Sequence, residues 1–239
     1  MHILLTGASR GIGAATYQAL SAAGHRLAGQ STRGGNGLIA ADFADKDAPR
    51  RLFEDAFHAL DGRIDVLINN AGIFEPVADN AGDEDWHGAW GRTLQVNLQA
   101  AADLSRLAIA HWRSRIDLGD RPEGRIVNVA SRAAYRGDSP EHWHYAASKG
   151  AMVAMTKSIA RGYARENILA FGVCPGFTMT GMAEDYLDSR GGPSLLADIP
   201  LGRVASPQEV AETIRWLALD APPSATGTIL DVNGASYVR

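Results

Sequence analysis

Short, nearly unbroken apolar runs recur along the chain, separated by longer stretches with helical periodicity. Residues 3–5, 26–29, 38–41, 66–68, 125–129, 169–173 and 228–232 predict seven strands. Continuous apolar character, in place of alternation, is what a strand needs when both faces of its sheet are covered. Residues 13–23, 48–60, 83–112, 146–163 and 207–218 repeat apolar positions at helical spacing. Strand–helix alternation throughout predicts an α/β fold, a single doubly wound domain over residues 1–239 on a parallel sheet. Two segments break the rhythm. Residues 32–36 are too few for the usual crossover helix between the second and third strands, so a loop is expected there. Residues 178–199 are polar and contain Gly181, Gly191, Gly192 and Pro193, which predicts a flap beside a ligand site.

Composition narrows the setting. A chain of 239 residues can bury a sizeable core without covalent staples. Its single cysteine leaves no internal disulfide framework and no paired-cysteine metal motif, so no metal site is expected. A net charge of −4 argues against a nucleic-acid footprint. No apolar run reaches the roughly 18 residues of a membrane span, and the N-terminus enters a strand directly without the features of a secretion leader. The expected setting is cytoplasmic.

Glycine placement carries the first chemistry. Gly7-Ala8-Ser9-Arg10-Gly11-Ile12-Gly13 follows the first strand and opens a helix. Such a turn aims backbone N–H groups and a helix N-terminus at a pyrophosphate, with glycines permitting close approach. The usual dinucleotide fingerprint adds an acid at the end of the second strand to hold the ribose 2′-hydroxyl. Here that stretch reads Gly29-Gln30-Ser31-Thr32-Arg33, with no acid. Arg10 and Arg33, beside Thr32, suit a 2′-phosphate, because a guanidinium grips phosphate where a carboxylate repels it. The expected cofactor is therefore NADP(H), ahead of NAD(H).

Five further motifs follow in order: Asn69-Asn70-Ala71-Gly72 after the fourth strand, Asn97 in a long helical stretch, and Ser131 at the end of the fifth strand. Tyr145-Ala146-Ala147-Ser148-Lys149 and then Pro175-Gly176 complete the set. With the glycine turn, this ordered series resembles the classical short-chain dehydrogenase/reductases over essentially the whole chain. The resemblance implies a Rossmann-type parallel seven-stranded sheet with helices on both faces, and an oxidoreductase acting on a carbonyl or secondary alcohol. Tyr145 and Lys149 are four apart, so on a helix they share a face. A free phenol titrates near pH 10; a lysine cation and an oxidised nicotinamide are expected to lower that value. Tyr145 is then the general acid/base and Ser131 the donor to the substrate oxygen. The resemblance gives Lys149 the nicotinamide ribose as a second partner and Asn97 a water in a proton relay. It also sets Asp42 and Phe43 against the adenine, Asn70, Ala71 and Gly72 against the adenosine ribose, and Pro175, Gly176 and Thr178 around the nicotinamide.

Substrate identity is less marked. The phrases Ile199-Pro200-Leu201-Gly202-Arg203 and Asp231-Val232-Asn233-Gly234, with Asp85-Trp86, look like the 3-oxoacyl-acyl-carrier-protein reductases. Glu166 stands where that group typically carries an arginine, which weakens an acyl carrier protein as partner. Glu141-His142-Trp143-His144 precedes Tyr145, and Trp143 is expected in the substrate pocket wall with Ser131 and Tyr145. Residues 116–123 read as a small surface insertion. A small ketone, a sugar or polyol, or a cyclic alcohol stays open as substrate, and so does a non-catalytic NADP-sensing role. The resemblance further implies a homodimer or homotetramer formed through the helices at 90–112 and 146–163.

Overall fold

Successive side chains of a strand point to opposite faces, and here both faces meet apolar partners. In β1 (His2–Leu5), Ile3 and Leu5 enter one core while Leu4 enters the other. β4 (Val66–Asn69) does the same, with Val66 and Ile68 on one side and Leu67 on the other. This two-sided demand explains the unbroken apolar runs. The computed structural model describes residues 1–120, 123–179 and 192–239, with the side chains of 193–195 excepted. Residues 121–122 of the expected insertion and 180–191 of the expected flap, Gly181 and Gly191 included, lie outside the described residues.

The strands form one parallel sheet in the order β3-β2-β1-β4-β5-β6-β7, completed by β2 (Arg26–Ser31), β3 (Ile39–Ala40), β5 (Gly124–Val129), β6 (Ile168–Pro175) and β7 (Ile229–Val232). Helices α1 (Gly11–Ala22) and α8 (Pro207–Leu219) pack together over one face. On the other face lie α2 (Ala48–Ala59), α4 (Ala100–Asp117) and α6 (Trp143–Tyr163). Order reverses at β1, which sits between β2 and β4; ligands in such sheets bind at this switch point, beyond the strands' C-terminal ends. The register pairs Leu5 with Ile68, Ile68 with Val127, and Val127 with Phe171, so the loops leaving these strands open on one edge.

Three local features refine the sequence expectations. The β2–β3 connection is a loop, as expected, and β3 shrinks to two paired residues because Gly34, Gly35, Asn36 and Gly37 all take left-handed backbone just before it. The helix expected over 83–112 is interrupted: α3 (Asp83–Leu94) passes into a π-helical turn, Gln95–Gln99, before α4 begins. α6 starts at Trp143, three residues earlier than the apolar period suggested, which puts Tyr145 in its first turn. Between β6 and α8 a short helix, α7 (Gly192–Ala197), precedes a small apolar cluster of Ile199 and Val204. Beneath the C-terminal edge, Asn69 Nδ2 donates to Asn128 Oδ1 at 2.8 Å and Asn128 Nδ2 to Thr156 Oγ1 at 2.8 Å, fastening β4, β5 and α6 together. Among the described residues no helix is long and apolar enough to cross a membrane.

Candidate active site

The loop after β1 is shaped by contacts that only glycine allows. A β-carbon on Gly13 would lie 1.9 Å from the Gly7 carbonyl oxygen, so the start of α1 packs directly on the turn. Asn70 Nδ2 donates to the carbonyls of Thr6 and Gly7, both at 3.1 Å, while Thr6 Oγ1 accepts from the Asn70 and Ala71 N–H groups at 3.0 Å. Gln30 supports the turn from β2: its Oε1 accepts from Gly7 N–H at 2.8 Å and its Nε2 donates to the Ala41 carbonyl at 2.6 Å. Arg10 caps α1 without a side-chain hydrogen bond, and the first turn holds no acid. That helix N-terminus therefore keeps unpaired N–H groups and a positive dipole end. Ser9, Arg10, Thr32 and Arg33 are exposed, and neither arginine has an acidic partner among the described residues. A glycine turn, a helix N-terminus without an acid and two exposed guanidinium groups fit a dinucleotide.

Other residues expected around a dinucleotide occupy the same edge in different ways. Asp42 is exposed and its Oδ1 accepts from Ala44 N–H at 3.0 Å. Phe43 is buried in the core. Pro175 ends β6 and the Gly176 N–H donates to the Val232 carbonyl at 2.9 Å. Thr178 is buried, its Oγ1 donating to the Gly176 carbonyl at 3.2 Å and its backbone bridging to Ala205.

Asn97, Ser131, Tyr145 and Lys149 come together beyond β4 and β5. The π turn carries Asn97 inward, fully buried; such turns insert one extra residue into a helix and recur at functional sites. Asn97 Oδ1 accepts from Ile73 N–H at 2.7 Å, and its Nδ2 donates to the Ile73 carbonyl at 3.0 Å and to Ser148 Oγ at 3.2 Å. Gly72 lies against both Asn97 Oδ1 and Lys149 Nζ. Lys149 is buried, its Nζ donating to the Val129 carbonyl at 2.9 Å and standing 5.8 Å from the Tyr145 ring centre. Ser131, which favours the ionised form of the Tyr145 phenol, accepts at its Oγ from Ala133 N–H at 3.1 Å in α5 (Ala133–Arg136).

Burial pushes the Tyr145 phenol up to about 12, against a smaller downward pull from Ser131. It also presses Lys149 down to about 8. The lowering expected for Tyr145 is thus not what the protein groups alone produce: desolvation outweighs a lysine that is itself desolvated and turned to a carbonyl. Cys174, on β6, is buried as well, and its thiol is pushed up to about 11.

A layer of rings borders Tyr145. Trp143 is half-exposed and meets Trp86 of α3 edge-on, with ring centres 5.5 Å apart. His142 and His144, which flank it, are both buried. Among the described residues, the ring touching Tyr145 is Phe74, edge-on at 4.8 Å. Periodicity gave no hint of Phe74; its place directly after Asn69-Asn70-Ala71-Gly72-Ile73, in the loop leaving a central strand, was the available signal. Glu166, at the far end of α6, is held in a two-pronged pair by Arg113 with both contacts at 2.6 Å. Among the described residues no cluster of three or more His, Cys, Asp or Glu could hold a metal ion.

Comparison with known proteins agrees with this geometry. A family model described as enoyl-(acyl carrier protein) reductase matches residues 7–235. The 3-oxoacyl-[acyl-carrier-protein] reductase FabG of Haemophilus influenzae is 32% identical over 249 residues, spanning 98% of this chain and 97% of that protein. A 3-ketoacyl-(acyl-carrier-protein) reductase from Brucella melitensis, solved in complex with NADH, superposes with a TM-score of 0.84 at 26% identity, covering 99% of this chain and 98% of that one. The ligand-free aldohexose dehydrogenase of Thermoplasma acidophilum also gives 0.84, at 29% identity over 99% of this chain and 94% of its own.

Proposed function

This chain belongs to the short-chain dehydrogenase/reductase family, a family of oxidoreductases, and we propose that it interconverts a carbonyl and a secondary alcohol with NADP(H). The observation that carries the reading is the convergence of Ser131, Tyr145, a buried Lys149 whose Nζ stands 5.8 Å from the Tyr145 ring centre, and a buried Asn97. A binding protein without turnover needs no such set.

The residues fit a dinucleotide: the turn from Gly7 to Gly13 for the pyrophosphate, Asn70, Ala71 and Gly72 for the adenosine ribose, and Asp42 with the Phe43 backbone for the base. Pro175, Gly176 and Thr178 would hold the nicotinamide, and Lys149 its ribose. When bound, the nicotinamide supplies the hydride. Tyr145, protonated throughout the neutral range, donates its proton to the substrate oxygen during reduction. Ser131 donates a hydrogen bond to the same oxygen and steadies the charge that develops there. Lys149 would return a proton toward Tyr145, through a relay in which Asn97, adjacent to it across Gly72, holds a water. Arg10 and Arg33, with Thr32, favour the 2′-phosphate of NADP(H) over NAD(H).

The named relatives support 3-oxoacyl thioesters as one substrate class. The aldohexose dehydrogenase neighbour and the ring layer at Tyr145 support a compact ketone, sugar or cyclic alcohol as the other. An acyl carrier protein is the less favoured partner, since Glu166 faces Arg113 where a basic docking residue would be wanted. A groove of about 600 Å³ between α4 and α6, lined by Ile109, Met155, Ile159 and Tyr163 among others, supports a homodimer or homotetramer. The cellular setting that suits this reading is the cytoplasm. The test mixes protein with NADPH or NADH and a panel of ketones and follows loss of nicotinamide absorbance. NADPH consumption with at least one ketone, faster than with NADH, is expected. Tight NADPH binding with no consumption of any substrate would favour a nucleotide sensor.

A further inference from the structure

Phe74 is 41% exposed, although its ring touches that of Tyr145. One of its faces is occupied: His142 stacks on it with ring centres 3.8 Å apart and planes within 5°. His142 is itself fixed, its Nδ1 2.7 Å from Ser139 Oγ, and only 8% exposed. The Val77 N–H donates to the Glu141 carbonyl at 2.9 Å, tying the loop that carries Phe74 to the turn that carries His142. His144 continues the layer, parallel to His142 within 6° and anchored by its Nε2 on the Glu75 carbonyl at 3.0 Å. Burial holds His142 below the ordinary histidine range, so the backing of the stack is uncharged at neutral pH. Ring stacking and the Ser139 and Glu75 contacts thus hold Phe74, His142 and His144 as one layer beside Tyr145.

A rigid, uncharged ring left bare beside a proton donor is suited to recognition. It loses little conformational freedom when covered, and its quadrupole rewards a second ring set in an offset or edge-on geometry. An extended aliphatic chain gains apolar contact from the same surface but nothing from the ring's orientation. We infer that Phe74, backed by His142, is a specificity-determining platform for a ketone that carries an aromatic ring next to its carbonyl. This rests on the reductase reading and narrows its substrate class.

The test compares phenyl ketones with straight-chain ketones of equal carbon number, using NADPH, in the wild type, Phe74→Leu, His142→Ala and His142→Phe. The readout is the ratio of kcat/KM for the two classes within each protein, so differences in folded fraction cancel. The wild type is expected to favour phenyl ketones by about tenfold, the range of a well-placed ring pair. Phe74→Leu keeps the apolar bulk and removes the ring, so the preference falls to near unity. His142→Ala weakens the preference, and His142→Phe, which can still stack, restores it. Turnover without phenyl preference, or a preference that survives Phe74→Leu, overturns the platform alone. No turnover of either class overturns the platform; if sugars, cyclic alcohols and 3-oxoacyl thioesters are inert as well with either nicotinamide cofactor, the reductase reading falls with it.

Discussion

Ser131, Asn97 and Lys149 each have fixed protein partners, whereas Arg10 and Arg33, beyond the ends of β1 and β2, stand exposed with no acidic partner among the described residues. In that first group Asn97 and Lys149 are buried and Ser131 is half-buried, and all three are hydrogen-bonded before any ligand arrives. Groups aimed in advance at developing charge need no reorganisation during reaction, and low local polarity strengthens them. The second group keeps its side-chain freedom, about 1.5–2 kcal/mol for an arginine, and gives it up only on binding. The two regions therefore divide the work: damage to the buried row should appear in turnover, and damage to the exposed rim in cofactor affinity and choice.

The strongest way to break that division is Tyr145→Phe. The substitution removes the proton donor but leaves the ring that meets Phe74. Loss of a positioned general acid costs about 10²–10⁴-fold in rate, and kcat/KM with NADPH should drop by that much. NADPH affinity, read by fluorescence titration, should change by less than about threefold. A large loss of NADPH binding would mean that Tyr145 shapes the cofactor site, and the division would fail.

Lys149 sharpens the same contrast through pH. Its folded value of about 8 lies below the 10.5 of a free lysine, so between these limits the unfolded chain holds a proton that the folded chain has released. Stability then rises with pH across that window. Below about pH 8 both states are protonated and the penalty of burying the charge is fully present. Lys149→Met removes the ionisable group, so urea midpoints of wild type and variant should converge from pH 8 to 10.5, by up to about 3 kcal/mol. Tyr145, with its folded value above its unfolded one, begins to act in the opposite direction above about pH 10. Parallel curves for the two proteins would show that Lys149 keeps an ordinary charge in the fold.

What the sequence disclosed and what it hid follow the same physical line. Strands such as β1 and β4 were legible because burial on two faces leaves no polar position to confuse the pattern. The turn from Gly7 to Gly13 was legible because its backbone approach tolerates no side chain at Gly13. Tyr145 and Lys149 share a helix face through their spacing alone, and the structure sets their side chains 5.8 Å apart. The π turn at Asn97 was invisible because one extra residue in a turn leaves the apolar period almost intact. Phe74 was missed because a lone ring in a loop has no period at all. The upward push on the Tyr145 phenol from the protein groups alone was not legible, because proximity of a cation can be read from spacing, whereas desolvation depends on every neighbour.

The exposed rim offers the smaller and finer test. Arg10 sits at the N-cap of α1 with extended backbone and contributes no side-chain cap, so replacing it with glutamine leaves the helix start intact and removes only the charge. A charge-assisted contact to phosphate is worth about 1.5–3 kcal/mol; solvent exposure puts Arg10 at the lower end. Arg10→Gln should weaken NADPH about tenfold and NADH less than twofold, and the NADPH loss should shrink as salt screens the exposed charge. Isothermal titration with both nucleotides at two ionic strengths reads all three quantities. Equal weakening of NADPH and NADH would assign Arg10 to the shape of the pyrophosphate turn and leave the 2′-phosphate to Arg33 and Thr32.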